Sequence, residues 1–418
     1  MTKAPASVHR IATCRACGGS LTIPFCDLGL QPVANSFVDP ADREQPEPRF
    51  PLSVRVCENC RLVQLDHVVS AEEIFADYAY FSSYSTSWLA HAAAFCATAR
   101  ERFNLDKASF VVEVASNDGY LLKNFVAAGI PCLGVEPAEN VANAAIAAGV
   151  PTEARFFGKA VAQEIVSRRG HADLIVANNV LAHVPDVNDF VAGLAELAGT
   201  CGVVSIEAPH VVRLIEEAQF DTIYHEHYAY WSLFSMAHVL RAHGLDVIDV
   251  ERLSTHGGSL RVFAAAAARN GARSSSVAAL RAEEEELGIT GAALYQGFEP
   301  RVAAVINGFR DYLRAASEGG RTVAAYGAAA KGNTFLNACG VGATDIVMVA
   351  DKNPVKQGRL LPGSRIPVVS PEALLAARPA DVVILPWNIA HEIKGELAGV
   401  AGWGGRLITA VPTVRVIA

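Results

Sequence analysis

Twice in this 418-residue chain an apolar run ends in a turn of small residues that opens a helix, and a second apolar run ending in an acid follows. That alternation constrains the fold more than any other feature. Parallel strands need helical crossovers, and the crossovers bury both faces of the sheet. In the middle of the chain, residues 110–114 read as a strand, 120–128 as a helix and 132–136 as the next strand. Residues 173–177 and 202–209 extend the sheet. Residues 245–250 and 258–263, joined through Thr255-His256-Gly257, read as antiparallel closing strands. In the last third, 322–326, 346–351, 381–388 and 406–412 are expected strands of a second α/β unit, with helices over 274–288 and 300–316. The acidic run Glu283 to Glu286 reads as a solvated helix face.

A strand, a small-residue turn, a helix and a strand ending in Glu136 form the nucleoside-binding half of a doubly wound sheet, whose terminal carboxylate takes the ribose hydroxyls. A dinucleotide site would carry G-x-G-x-x-G at the turn. Here it is E-x-A-S-N-D-G, with one glycine and two additional polar side chains. Phosphates need close backbone approach at a helix N-terminus, whereas a ligand without phosphates can be met by side chains. S-adenosylmethionine (SAM) is such a ligand. The expected cofactor contacts are Glu113, Ala115, Asn117, Asp118, Gly119, Glu136, Pro137, Asn178 and Asn179. An NAD-dependent nucleotide-sugar dehydrogenase is the alternative.

Cys14-x-x-Cys17 and Cys57-x-x-Cys60 have the spacing that lets four thiolates close a tetrahedral zinc site. A redox role for the pairs would call for a βαβ pattern around them, which is missing. Nine cysteines, an odd number, fit a reducing cytoplasm better than a disulfide framework. The first residues lack a continuous apolar stretch, so no signal peptide is expected, and no run approaches the roughly 18 apolar residues of a membrane span. A net charge of −8 favours neither nucleic acid nor an anionic membrane.

Tyr224-His225-Glu226-His227-Tyr228 puts phenols, imidazoles and a carboxylate side by side, where neighbours can tune proton affinity. If the stretch is extended, His225 and His227 share one side; if it is a loop, either can reach a site. A metal reading lacks a third ligand at recognisable spacing. His183 follows the strand ending in Asn178 and Asn179, at the edge where open α/β sheets bind ligands.

The tandem CxxC pairs, Y-x-Y-F-S-S, V-E-V-A-S-N-D-G-Y-L-L, N-N-V-L-A-H-V-P, F-D-x-I-Y-x-E-H and H-G-G-S-L-R together resemble the nucleotide-sugar C-methyltransferases, over nearly the whole chain. The resemblance implies a zinc-binding domain (1–72), a Rossmann-like SAM domain (73–268) and a C-terminal Rossmann-like α/β domain holding the sugar nucleotide (269–418). It implies His227 as general base, Tyr224 and Glu226 around the sugar, His183 near the reacting carbon, and Tyr80 with Tyr78 across the pocket. His225 adds a second imidazole, which leaves two candidates for the base. The implied partner is a dTDP-linked keto sugar, and the implied working unit a monomer.

In the last third, Gly327 to Thr334 nearly matches a P-loop, with Asn333 in place of the phosphate lysine. A glycine-bounded turn with Lys331 beside it still suits a diphosphate. Asp351 ends the next strand, while Trp387 and Asn388 tip another, suited to stacking or bonding a base. His256 lies on a turn near the catalytic edge.

Overall fold

The computed structural model describes residues 8–69, 82–268 and 273–418. Tyr78 and Tyr80 lie outside the described residues. The N-terminal segment supplies β1 (Val8–Arg10), β2 (Ile23–Gln31), β3 (Phe50–Val56), β4 (Val63–Leu65) and β5 (His67–Val69). The middle supplies β6 (Val111–Val114), β7 (Cys132–Val135), β8 (Thr152–Glu153), β9 (Leu174–Asn178), β10 (Val203–Pro209), β11 (Ala229–Tyr230), β12 (Leu245–Leu253) and β13 (Ser259–Ala266). The last third supplies β14 (Val323–Tyr326), β15 (Val349–Ala350), β16 (Val368–Val369), β17 (Asp381–Ile384), β18 (Arg406–Thr409) and β19 (Arg415–Val416).

The middle sheet runs β12-β13-β10-β9-β6-β7-β8, parallel except that β13 is antiparallel to both its neighbours. Its strands read as near-continuous apolar runs because both faces are covered. Val112, Val114, Ile175 and Ala177 pack with the helices Lys159–Arg169 and Val187–Ala198, while Val111, Leu174 and Val176 pack with Thr86–Arg102. The C-terminal sheet runs β16-β15-β14-β17-β18-β19, with only β19 antiparallel. Its strands are shorter than expected: Pro386, which has no N–H to donate, follows β17, and Trp387–Ile389 turns away as a 3₁₀ segment.

The N-terminal sheet runs β11-β4-β3-β2, so its edge strand comes from the middle of the chain: Ala229 pairs with Gln64 and Tyr230 with Val63. One face of this sheet shares a core with the C-terminal part, where Phe25 stacks on Phe298 at 4.4 Å. Its cysteine end packs with Trp231 and the middle sheet's core. The N-terminal part is therefore a wedge between the other two rather than a pendant module.

Cys14, Cys17, Cys57 and Cys60 bring their sulfurs within 4.8 Å of one another. The Cys14–Cys60 and Cys17–Cys57 separations are 3.5 and 3.4 Å. A tetrahedral zinc with bonds of ~2.3 Å gives sulfur–sulfur edges of about 3.8 Å, so the donor set fits. Gln64 Nε2 donates to Cys14 Sγ at 3.1 Å, and the backbone N–H groups of Ala16 and Asn59 point at Cys14 and Cys57 at 3.4 Å. Such outer contacts orient thiolate ligands.

The acidic run departs from expectation at one residue. Glu284, on the helix Ser275–Glu286, is 1% exposed. Its carboxylate accepts from the N–H groups of Leu233 (2.7 Å) and Phe234 (2.8 Å) at the start of the helix Leu233–Ala242, and it meets His210 Nε2 at 2.8 Å. A carboxylate there satisfies donors that the helix leaves open and suits the positive end of its dipole. Among the described residues no helix is long and apolar enough to cross a membrane.

Two outcomes follow. Chelating the metal should raise hydrogen exchange at β4, β11 and the turn before it while β6 and β9 stay protected; exchange rising equally in all of them would contradict the pairing as the anchor. Glu284→Ala should cost about 3 kcal/mol in denaturant unfolding by stripping two buried N–H donors and a buried imidazole of their acceptor. Glu285→Ala, on the exposed face, should stay within about 0.5 kcal/mol of the parent.

Candidate active site

The carboxyl edge of the middle sheet carries a concentration of polar atoms with no partner. Glu113 Oε2, Ser116 Oγ, Asp118 Oδ1, Asn178 Oδ1 and both amide atoms of Asn179 are buried without a hydrogen bond among the described residues. Buried polar groups are nearly always satisfied, so a cluster of orphans marks a place for a ligand. The backbone is unusual at the same place. Ala115, Asn117 and Asn179 have φ of 55°, 50° and 52°, and Gly119 has 77°. Strain of this kind concentrates at ligand clamps. At Gly119 a Cβ would also stand 2.8 Å from Val150, so only glycine fits.

Burial pushes the Glu113 carboxyl well above its usual range, with Glu136 and Asp118 adding to the shift, and burial also raises Glu136. Glu136 does more than wait for a ribose. Its two oxygens accept from Asn117 N (3.0 Å) and Ala138 N (2.9 Å), bracing the turn, and each keeps a lone pair. Asn117 Oδ1 and Asp118 Oδ2 in turn accept from Ser82 N (2.8 Å) and Ser83 N (3.1 Å). Pro137 is half-buried beside them. An edge so rich in acceptors suits a cationic ligand carrying hydroxyls.

Beyond that edge, residues 223–228 form a turn, closed by His227 N donating to Tyr224 O at 2.9 Å. The turn separates the two imidazoles. His227 Nδ1 lies 2.8 Å from the Thr222 carbonyl, which can only accept, so Nδ1 carries the proton. Nε2 is then the basic nitrogen, and it accepts from the Tyr224 hydroxyl at 2.8 Å. The His183 ring stands edge-on to His227 with centroids 4.7 Å apart, and its Nδ1 donates to the Glu226 carbonyl at 2.8 Å. Burial lowers His183 to about 4 and His227 well below the usual imidazole value, with His183 contributing to the latter, so both rings are neutral at pH 7. Both remain half-buried and keep an edge toward solvent. The Glu226 carboxyl is pushed up to about 7 by burial, against hydrogen bonds from its own backbone and from Asn35.

The C-terminal sheet turns its own carboxyl edge toward this turn. Lys331, in the first turn of the helix Ala330–Ala338, donates to Asn388 Oδ1 at 2.7 Å and lies 4.8 Å from the Trp387 ring centre. Trp387 Nε1 donates to Asp221 Oδ2 at 2.6 Å, and its ring abuts Gly257, where a Cβ would come within 2.5 Å. Burial raises Asp221 to about 6 and lowers Lys331, each opposed by the other's charge. His256, lowered to about 4 by burial, meets the Trp88 ring at 5.2 Å. His256 and Lys331 lie near enough to His227 for their charges to help lower its pKa, so the Trp387–Asn388 edge and the Tyr224–His227 turn are neighbours.

Three candidates have other engagements. His225 is 1% exposed and turned edge-on to Phe50 at 5.9 Å, apart from the His183–His227 pair. The Asn333 amide donates to the Ala34 carbonyl at 2.6 Å, tying the C-terminal helix to the N-terminal segment. Asp351 braces the Gly327–Ala329 turn from behind, accepting from Ala328 N and Asn353 N at 2.8 Å each. Asp221 falls in the F-D-x-I-Y-x-E-H segment but was given no role from sequence, and Asn35 was not singled out; the partners of both lie far along the chain.

Three family models match the chain: a zinc-binding domain over residues 14–75, a methyltransferase domain over 88–250 and the C-methyltransferase C-terminal domain over 254–412. The C-methyltransferase NovU of Streptomyces niveus is 38% identical over 410 residues, covering 98% of each chain. Among solved structures, magnesium protoporphyrin IX methyltransferase of Synechocystis PCC 6803 with bound SAM is 16% identical at a TM-score of 0.33, over 42% of this chain and 78% of its own. The 1,6-didemethyltoxoflavin-N1-methyltransferase of Burkholderia thailandensis is 17% identical at a TM-score of 0.35, over 49% of this chain and 94% of its own. Relatedness over the full length to NovU removes the dehydrogenase alternative. The chain belongs to the C-methyltransferase family: it is a SAM-dependent C-methyltransferase of mixed α/β fold with a four-cysteine, zinc-binding N-terminal domain.

Proposed function

We propose that this enzyme methylates a ring carbon of a nucleotide-linked keto-deoxysugar, at the carbon next to the keto group. The observation that supports the reading is His227, whose tautomer is fixed by Thr222 so that Nε2 is neutral and able to take a proton, with the Tyr224 hydroxyl as its present partner. A binding pocket needs no such proton acceptor. A carbon–hydrogen bond yields its proton to an imidazole only if an adjacent carbonyl can take the charge, which points to a ketone. The motifs shared with nucleotide-sugar C-methyltransferases support the sugar. Lys331 and Trp387 across the cleft suit the diphosphate and base of a nucleotide carrier. The same reading takes the carrier as dTDP, the working unit as a monomer and the cytoplasm as its place.

In the mechanism, His227 Nε2 removes the proton and the bond pair passes into an enolate. The Tyr224 hydroxyl, released from Nε2 as that nitrogen becomes protonated, donates to the enolate oxygen. His183 would stand beside the same carbon. A positioned base contributes about 10² to 10⁴-fold, and one donor to the developing oxyanion about 3 kcal/mol. SAM, when bound, would supply a sulfonium methyl group: the methyl–sulfur bond would break as the carbanion carbon bonds the methyl, and the electron pair would stay on sulfur, leaving S-adenosylhomocysteine. Glu113, Ser116, Asp118, Asn178 and Asn179, the orphaned groups of the sheet edge, are the side chains that would hold the cofactor, with Glu136 at the ribose. Holding both reactants at near-attack distance supplies most of the remaining acceleration.

Wild-type enzyme given SAM and a panel of nucleotide-linked keto sugars should yield a product heavier by one methylene. His227→Asn should lower kcat by at least about 10²-fold while SAM affinity and melting temperature hold. Product formation within a few-fold of wild type would remove His227 as the base.

A further inference from the structure

One carboxylate oxygen in the catalytic turn is held from an unexpected direction. Glu226 is 3% exposed, and its Oε1 accepts from Asn35 Nδ2 at 3.0 Å. Asn35 belongs to the zinc-binding segment, 191 residues away in sequence. Its place is fixed on both sides. Ser36 N and Phe37 N close tight turns onto Val33 O (3.1 Å) and Asn35 O (3.0 Å). Ala34 O receives the Asn333 amide at 2.6 Å, and Val38 and Leu360 exchange backbone bonds of 2.9 and 2.8 Å. Glu226 Oε2, by contrast, is buried with no hydrogen-bond partner among the described residues. A carboxylate with one oxygen clamped and the other unmet is incomplete without a donor from outside.

We propose that Asn35 is a positioning residue of the methyl-acceptor site, orienting the Glu226 carboxylate so that Oε2 accepts a hydroxyl of the bound acceptor. The inference rests on the sugar reading above, since it is a polyhydroxylated acceptor that brings such a donor. It makes the zinc-binding segment part of the substrate site, through a strap whose neighbouring carbonyl is tied to the C-terminal helix. Occupancy of the nucleotide side and placement of Glu226 are thereby mechanically joined.

Charge supplies a readout that a merely structural residue would not move. Around Glu226 stand His183, on its carbonyl, the flanking His225 and His227, and Tyr230. Burial lowers His183 and His225 to about 4 and His227 further, and raises Tyr230 well above its usual range. Glu226, raised to about 7 by burial, is thus the group in this turn that titrates near neutrality; Asp221, on the Trp387 side, follows at about 6. The Asn35 N–H favours the ionised carboxylate, so losing it raises the Glu226 pKa further and moves the acid limb to higher pH.

The test is kinetics across pH for wild type, Asn35→Ala and the isosteric Asn35→Asp, with zinc content and SAM affinity measured on each. Removing the N–H donor should raise KM for the acceptor roughly tenfold to a hundredfold, with a smaller change in kcat. The acid limb of kcat/KM in Asn35→Ala should shift to higher pH while SAM affinity and zinc content match wild type. Should Asn35→Ala fold poorly, Asn35→Asp keeps the shape without the amide donor and should still raise KM. Unchanged KM and pH profile in an active enzyme would overturn the role of Asn35, as would loss of SAM affinity in step with activity. A wild-type enzyme inert toward every nucleotide keto sugar would instead overturn the substrate reading.

Discussion

The pairing of β11 with β4 is the contact on which the rest of the site depends. Two residues, Ala229 and Tyr230, complete a sheet whose other strands come from the first 65 residues. The turn 223–228 ends at this pairing, with Tyr228 N donating to Ala182 O at 2.7 Å and Tyr228 O accepting from Leu65 N at 3.1 Å. Tyr228 therefore clasps the N-terminal sheet on one side and the His183 segment on the other. Gln64, opposite Ala229, also donates to a metal-site cysteine. The four-cysteine set at one end of the sheet and the His227 turn at the other share a backbone.

Electrostatics follow from this placement. Wedging the turn between three packed parts removes most of its water, and desolvation disfavours every charged form. The imidazoles of His183, His225 and His227 stay neutral. The carboxyls of Glu113, Glu136, Asp221 and Glu226 are all raised, which a cationic cofactor and a hydroxylated acceptor would relieve on binding. Lys331, half-buried near Asp221, is its counter-charge. Burial raises these carboxyls, and the unmet hydrogen bonds of the sheet edge mark where a ligand would be held.

Much of this was legible in the sequence where the signal is local. The E-x-A-S-N-D-G turn, the strands around it and the CxxC pairs reveal themselves within a few residues, and the cysteine set assembles as their spacing requires. The Tyr224–His227 stretch showed what chemistry was present but not its geometry, because an extended strand and a turn have the same composition. The turn sends His225 to Phe50 and sets His227 against His183. Glu284 looked like one of four equivalent acids, yet it alone reaches the next helix's open N–H groups. Asn35 and Asp221 acquire partners only through long-range packing, which leaves no period to read.

Proton removal at His227 and methyl delivery at the middle sheet's edge are proposed to take place side by side. A structure of the zinc-loaded enzyme with S-adenosylhomocysteine would decide this. The ligand's sulfur should lie on the His183–His227 side of the Asn178–Asn179 edge, with its adenosine hydroxyls at Glu136. A ligand lodged elsewhere, with the His227 turn walled off from its sulfur, would contradict it.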